Sequence, residues 1–192
     1  MKEVCYIGLD ISTSIVGVSF FCKEKKVVSV YNINLKKLDN LFYKADFVKK
    51  FFIEKQNLYN FNNLNKIYIE EALQSFSRGQ SSARTLHQLS AFNGIVSNIV
   101  YNVFNRIPLY VNVNKARKVL GIQIDKTLKE NTKQQVFNWV KENIENSNIN
   151  WPIKTQKRGE LKGQLKFDDC CFDMADAYVI CKAPLLNESC IS

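Results

Sequence analysis

The sequence predicts an α/β fold: a five-stranded mixed sheet, three antiparallel strands followed by two parallel ones, flanked by helices. Three observations carry that prediction. Short β-branched runs follow one another closely over about the first 35 residues, as antiparallel neighbours do. Helical periodicity then precedes each later strand, giving crossovers long enough to reach a parallel position. The 192 residues are 46% hydrophobic, enough for one domain with a sizeable core.

Residues 4–11 and 16–22 read as a strand pair around Ser12-Thr13-Ser14, and Gly17 would let a ligand or another backbone approach closely. A third strand fits residues 26–33. From 38 to 58 the spacing turns helical, with Leu38, Leu41, Phe42, Ala45, Val48 and Phe52 as its apolar stripe. An Asn-rich connection at 57–65 leads into a fourth strand, Lys66-Ile67-Tyr68-Ile69-Glu70-Glu71. Residues 77–82 form a small, polar connection. A helix over 83–104 turns Leu86, Leu89, Phe92, Ile95, Val96, Ile99 and Val103 inward, and a fifth strand spans 107–113. Helical pieces follow at 115–120 and 131–144, then a basic loop over 151–166. The final helix covers 167–182, with Pro184 beyond it. This organisation is one domain over 1–183 with a tail at 184–192.

Composition narrows the partners. Twenty-seven Lys and Arg against eighteen Asp and Glu give a net charge of +9, which favours a polyanion such as nucleic acid. The six cysteines form no CxxC pair and several lie in apolar runs, so reduced core thiols in a cytoplasmic protein are expected. No run of about 18 apolar residues exists to span a membrane, and the N-terminus enters a strand without a secretory leader. The abundance of Asn, Lys and Ile fits an AT-rich genome, such as that of a phage or virus.

The chemistry-bearing residues are carboxylates placed where packing does not ask for them. Asp10 ends an apolar strand, where an uncompensated buried carboxylate costs several kcal/mol. Glu70 and Glu71 end the fourth strand. Asp173 and Asp176 lie three apart in an otherwise apolar helix, so they share one face at a Cβ separation of about 5–6 Å. Asp169, one turn earlier, could extend that face. With strands one and four parallel, Asp10 and Glu70 emerge at the same edge, and Asp173 and Asp176 can complete the cluster. Hard oxygen donors with no accompanying Cys and His set suit Mg²⁺ or Mn²⁺. Two such ions about 3.5–4 Å apart are a known device for hydrolysing phosphodiesters.

Ile7-Gly8-Leu9-Asp10 followed by Gly17-Val18, Ile69-Glu70 and Asp173-Met174-Ala175-Asp176-Ala177 resemble, in that order, the motifs of the RuvC-like Holliday junction resolvases of the RNase H-like superfamily. Val119-Leu120-Gly121-Ile122 and Lys133-Gln134-Gln135-Val136 look like the family's stretch before and into its penultimate helix. The resemblance implies a homodimer that cuts four-way DNA junctions with a divalent metal, Mg²⁺ or Mn²⁺, two ions per site. It makes Asp10, Glu70, Asp173 and Asp176 the metal ligands and Lys133 a catalytic lysine near the scissile phosphate. A second family lysine has three competitors here, Lys115, Arg117 and Lys118. Arg78 and Arg84 join these and Lys133 as expected DNA contacts. Bacterial members place an aromatic wedge three residues after the glutamate; that position is Leu73 here, with Phe76 three further on. Two kinds of alternative compete: a nuclease of the same fold acting on other branched DNA or RNA–DNA hybrids, and either an actin-like ATPase fragment or a non-catalytic nucleic-acid-binding module.

Overall fold

A computed structural model describes residues 1–72, 83–128, 130–145, 148–156 and 162–192. In chain order the elements are β1 (Lys2–Glu3), β2 (Tyr6–Ile11), β3 (Ile15–Phe21), β4 (Val27–Asn34), α1 (Leu41–Gln56), β5 (Tyr59–Asn60), β6 (Lys66–Glu70), α2 (Ala83–Phe104), β7 (Leu109–Val111), α3 (Val113–Val119), α4 (Thr132–Asn143), β8 (Ile153–Thr155), β9 (Leu165–Phe167) and α5 (Cys170–Leu186). The main sheet runs β4-β3-β2-β6-β7. β2, β3 and β4 are antiparallel, and β6 and β7 run parallel to β2. The predicted fold class is the observed one.

Strand alternation divides this sheet into two chemically different faces. Ile7, Leu9, Ile11, Val16, Val18, Phe20, Ile67 and Ile69 fall on one face, in a core completed by Val48 and Phe52 of α1 and Phe92, Val96 and Val100 of α2. The intervening residues fall on the other, where α5 lies. There the strands present small and polar side chains, Gly8 and Asp10 from β2 and Gly17 and Ser19 from β3.

The glycines set how closely α5 approaches. A Cβ on Gly17 would stand 1.9 Å from the Asp173 carbonyl oxygen, and one on Gly8 would stand 2.5 Å from that of Ala177. The close approach expected at Gly17 is therefore the backbone of α5 itself. Ser19 Oγ, two residues along the same face, donates to the Ala177 carbonyl at 2.7 Å and fixes the helix in register.

Several boundaries differ from the sequence reading. The expected basic loop at 151–166 contains a hairpin, β8 pairing with β9; its residues 157–161 lie outside the described residues. Lys154 reaches Asp169 at 2.6 Å and Asp168 at 3.6 Å, while Phe167 packs edge-on against Phe137. The strands are three residues each, too short and too lysine-rich to leave a clear alternation. α5 continues through Pro184 to Leu186, because burial of Ala183, Pro184 and Leu185 outweighs the one hydrogen bond that Pro184 cannot donate. Beyond it Ile191 bridges Val111, and Ser192 N donates to Tyr110 O at 2.9 Å, so the tail covers part of the sheet's edge. In α2, Phe92, Val96 and Val100 are buried, whereas Leu86, Leu89, Ile95, Ile99 and Val103 stay half-buried. Phe42 leaves the predicted stripe of α1 altogether and is 73% exposed. The cysteines are free, and all but Cys22 are buried.

Candidate active site

The four carboxylates converge because each sits on the α5 side of the sheet or on α5 itself. Asp10 pairs across β3 with Gly17, the residue over which the Asp173 backbone lies. On the other side Leu9 pairs with Ile69 in parallel register, so Asp10 and Glu70 are the next row. Asp173 and Asp176 descend from α5 onto this row. Asp10, Asp173 and Asp176 are buried and Glu70 is half-buried.

Burial and the crowding of like charge together shift the proton affinities of Asp10, Glu70 and Asp173. Burial, then the charge of Glu70 and a hydrogen bond with it, then Asp176 and Asp173, push the Asp10 carboxyl well above the usual carboxylate range. Burial also raises Glu70, with Asp176 adding to it and Asp10, Arg117 and Lys133 working against it. Burial raises Asp173, opposed by Lys133.

Two cations offset part of this negative charge. Arg117 of α3 places a guanidinium nitrogen 2.9 Å from Asp176 Oδ1, and its Nε is buried with no acceptor. Lys133, in the first turn of α4, places Nζ 3.3 Å from Asp173 Oδ1. Burial pulls this ammonium down, but Asp173, Asp10 and Asp176 outweigh it and hold it above its ordinary value. Among the described residues no three Asp, Glu, His or Cys side chains are gathered into a ready cage for an ion. What stands there is a set of crowded hard oxygen donors, four carboxylates offset only in part by two side-chain cations. That donor set fits a hard divalent cation, whose charge would favour the ionised forms of Asp10, Glu70 and Asp173 against burial and mutual repulsion.

Of the three basic candidates before Gly121, only Arg117 turns to the cluster; Lys115 and Lys118 are exposed. Arg84 is exposed at the start of α2. Leu73, Phe76 and Arg78 lie outside the described residues. Asp169 does not extend the acidic face, because it faces Lys154 and Lys166. Glu71 is drawn away as well, accepting from Asn112 at 3.2 Å and Ser192 at 3.1 Å.

Two neighbours escaped the sequence reading. Asn93 of α2 is buried and donates to the Glu70 carbonyl at 3.1 Å, fixing the strand end that carries the carboxylate. Its signal was a polar side chain among the inward positions of an amphipathic helix. Lys36 favours the ionised form of Asp173 from the segment after β4; nothing in its local sequence marks it.

This topology, with the carboxylate edge it creates, is the RNase H-like fold of the RuvC type. No protein-family model matches the chain, and no curated protein matches it by sequence. Among solved structures it is similar to Thermus thermophilus RuvC in complex with a Holliday junction substrate, with a TM-score of 0.62 and 10% identity over 99% of each chain. It is also similar to a second Thermus thermophilus RuvC structure, at a TM-score of 0.57 and 11% identity over 97% of this chain and 98% of that one. The yeast mitochondrial Holliday junction resolvase Ydc2 follows, at 0.51 and 16% identity over 94% of this chain and 77% of that one. Among the described residues, no helix is long and apolar enough to cross a membrane.

Proposed function

We propose that this chain is a metal-dependent, structure-selective endodeoxyribonuclease that resolves four-way DNA junctions, acting as one nuclease domain. The observation that carries the reading is the burial of Asp10, Asp173 and Asp176 beside Glu70 in a fold shared with junction resolvases. Asp10, Glu70, Asp173 and Asp176 would hold Mg²⁺ or Mn²⁺, two ions per site. When bound, such ions polarise the phosphodiester and lower the pKa of attacking water. Lys133 is more than half exposed with its ammonium at the rim, where it can reach a phosphate oxygen and stabilise developing negative charge. Arg117 holds Asp176 in place, and its buried, unpaired Nε leaves one donor for a shifted carboxylate. Arg84, Lys115 and Lys118 are exposed cations suited to phosphate contacts, with Arg78, Leu73 and Phe76 proposed for the branch point. A homodimer would bring two such sites to one junction.

Metal binding has a readout apart from cleavage. Without a cation, the raised Asp10 carboxyl binds its proton more tightly in the folded chain than in the unfolded one. Folding stability should therefore fall as pH rises from the ordinary carboxylate range through that raised value. Millimolar Mg²⁺ or Mn²⁺ should flatten this slope and raise Tm, by about 2.7 kcal/mol of stability at a hundredfold excess over Kd. A thermal scan at several pH values with and without the metal measures both effects; no metal-dependent shift would count against the ligand set.

The function itself is tested by presenting the pure protein with a mobile four-way junction, a replication fork, a flap and an RNA–DNA hybrid. Preferential nicking of the four-way junction is expected. Cutting of the hybrid alone would transfer the site to a ribonuclease H-type reaction. ATP turnover without DNA cleavage would favour the ATPase alternative.

A further inference from the structure

We propose that Phe42 and Tyr43, with Lys36, Lys37 and Lys44, form a stacking surface that holds unpaired DNA bases beside the carboxylate cluster. The proposal deepens the nuclease reading and rests on it for the identity of the strand being held.

α1 buries Ala45, Val48 and Phe52 against the sheet. Phe42 and Tyr43, in its first turn, point elsewhere and are 73% and 66% exposed. Consecutive helix positions differ by about 100°, so the two rings fan apart instead of packing on each other. Their turn is fixed. Asn40 Oδ1 accepts from Phe42 N at 2.7 Å, and Lys44 Nζ donates to Thr13 O at 2.7 Å. Thr13 belongs to the turn that directly follows the strand of Asp10.

The location is the active edge. β4 ends at Asn34 opposite Ile15, the first residue of β3, and Leu35 N donates to Ser14 O at 2.8 Å. The chain then presents Lys36 and Lys37, both exposed, before α1 begins. Lys36 is near enough to Asp173 and Asp168 to act on both electrostatically. Between the cluster and the two rings there is thus a run of lysines, with Asp39 the only acid in 36–44.

Charge selects the occupant. A second copy meeting this face symmetrically would set lysines against lysines, and protein interfaces are depleted in lysine at their core. A single strand of DNA has the complementary features: phosphates for the ammonium groups and π-faces for the rings, without regard to base identity. An opened branch point supplies such a strand.

The test is fluorescence anisotropy on labelled oligothymidine, and 2-aminopurine emission at the branch of a four-way junction, both in chelator to prevent cutting. F42A/Y43A should weaken oligothymidine binding about tenfold or more and remove the 2-aminopurine change. F42W/Y43W should retain both, with sedimentation and Tm unchanged in either variant. Unchanged DNA affinity in F42A/Y43A overturns the proposal, and so does a change in its sedimentation, which would make the face a contact between copies. If the wild type cleaves no branched DNA yet binds oligothymidine through these rings, the nuclease reading fails and the surface stands. If it cleaves junctions but binds no single strand, the surface fails alone.

Discussion

Asp10→Asn is expected to abolish junction cleavage while leaving junction binding intact or tightening it. The substitution keeps the side chain's size and its place opposite Gly17, but removes a charged oxygen donor from the centre of the cluster. Metal-ion stabilisation of a phosphoryl transition state is worth several kcal/mol, so a loss of about 10³-fold or more in rate should follow. The same change removes one of four crowded negative charges beside a phosphate backbone, which is why binding should not weaken. In the absence of metal it should also raise Tm, because burial and Glu70 already disfavour the ionised form of Asp10. A strained core position would behave in the opposite way, losing stability and binding together. Rate, junction affinity and metal-free Tm of the variant, measured side by side, separate these cases.

Among the described glycines, Gly17→Ala should be the most damaging change to alanine. Its Cβ would lie 1.9 Å from the Asp173 carbonyl oxygen and 2.5 Å from the carbonyl carbon. Both are backbone atoms and cannot rotate away. Either α5 lifts off the sheet or β3 bends, at a cost of about 3 kcal/mol. Lifting α5 also moves Asp173 away from Asp10, so cleavage and metal-dependent stabilisation should fall along with the denaturant midpoint. Gly94→Ala serves as the contrasting control. It sits within α2 with no atom within 4 Å of the added Cβ, and alanine there should stabilise the helix by about 0.4–1 kcal/mol. Equal effects from the two substitutions would refute the packing account.

The contrast explains how much could be read from the chain. The strands and long helices were legible because each carries a period that follows from its own geometry. The carboxylates were legible because they violate that period: Asp10 interrupts an aliphatic strand, and Asp173 and Asp176 interrupt an apolar helix. Gly17 could be marked as a point of close approach, but not what approaches it. Features that depend on partners distant in sequence stayed hidden. Arg117 could not be chosen over Lys115 and Lys118, since only the packing of α3 against α5 turns one of them to Asp176. Phe42 lies three residues before Ala45 yet outside the buried stripe, because at 100° per residue it stands about 90° round the helix from the line of Ala45, Val48 and Phe52. The hairpin of β8 and β9 was masked by lysines whose counter-ions, Asp168 and Asp169, belong to the next element.

Asp10, Glu70, Asp173 and Asp176 are proposed here as one metal-dependent phosphodiesterase centre acting on branched DNA. Mapping the nicks that the pure protein makes in an end-labelled four-way junction, with Mg²⁺ and with chelator, tests it most directly. Paired nicks in strands of like polarity, symmetric about the branch, are expected with Mg²⁺ and none with chelator or in Asp10→Asn. Nicks that persist in Asp10→Asn, or that appear equally with chelator, would contradict the assignment.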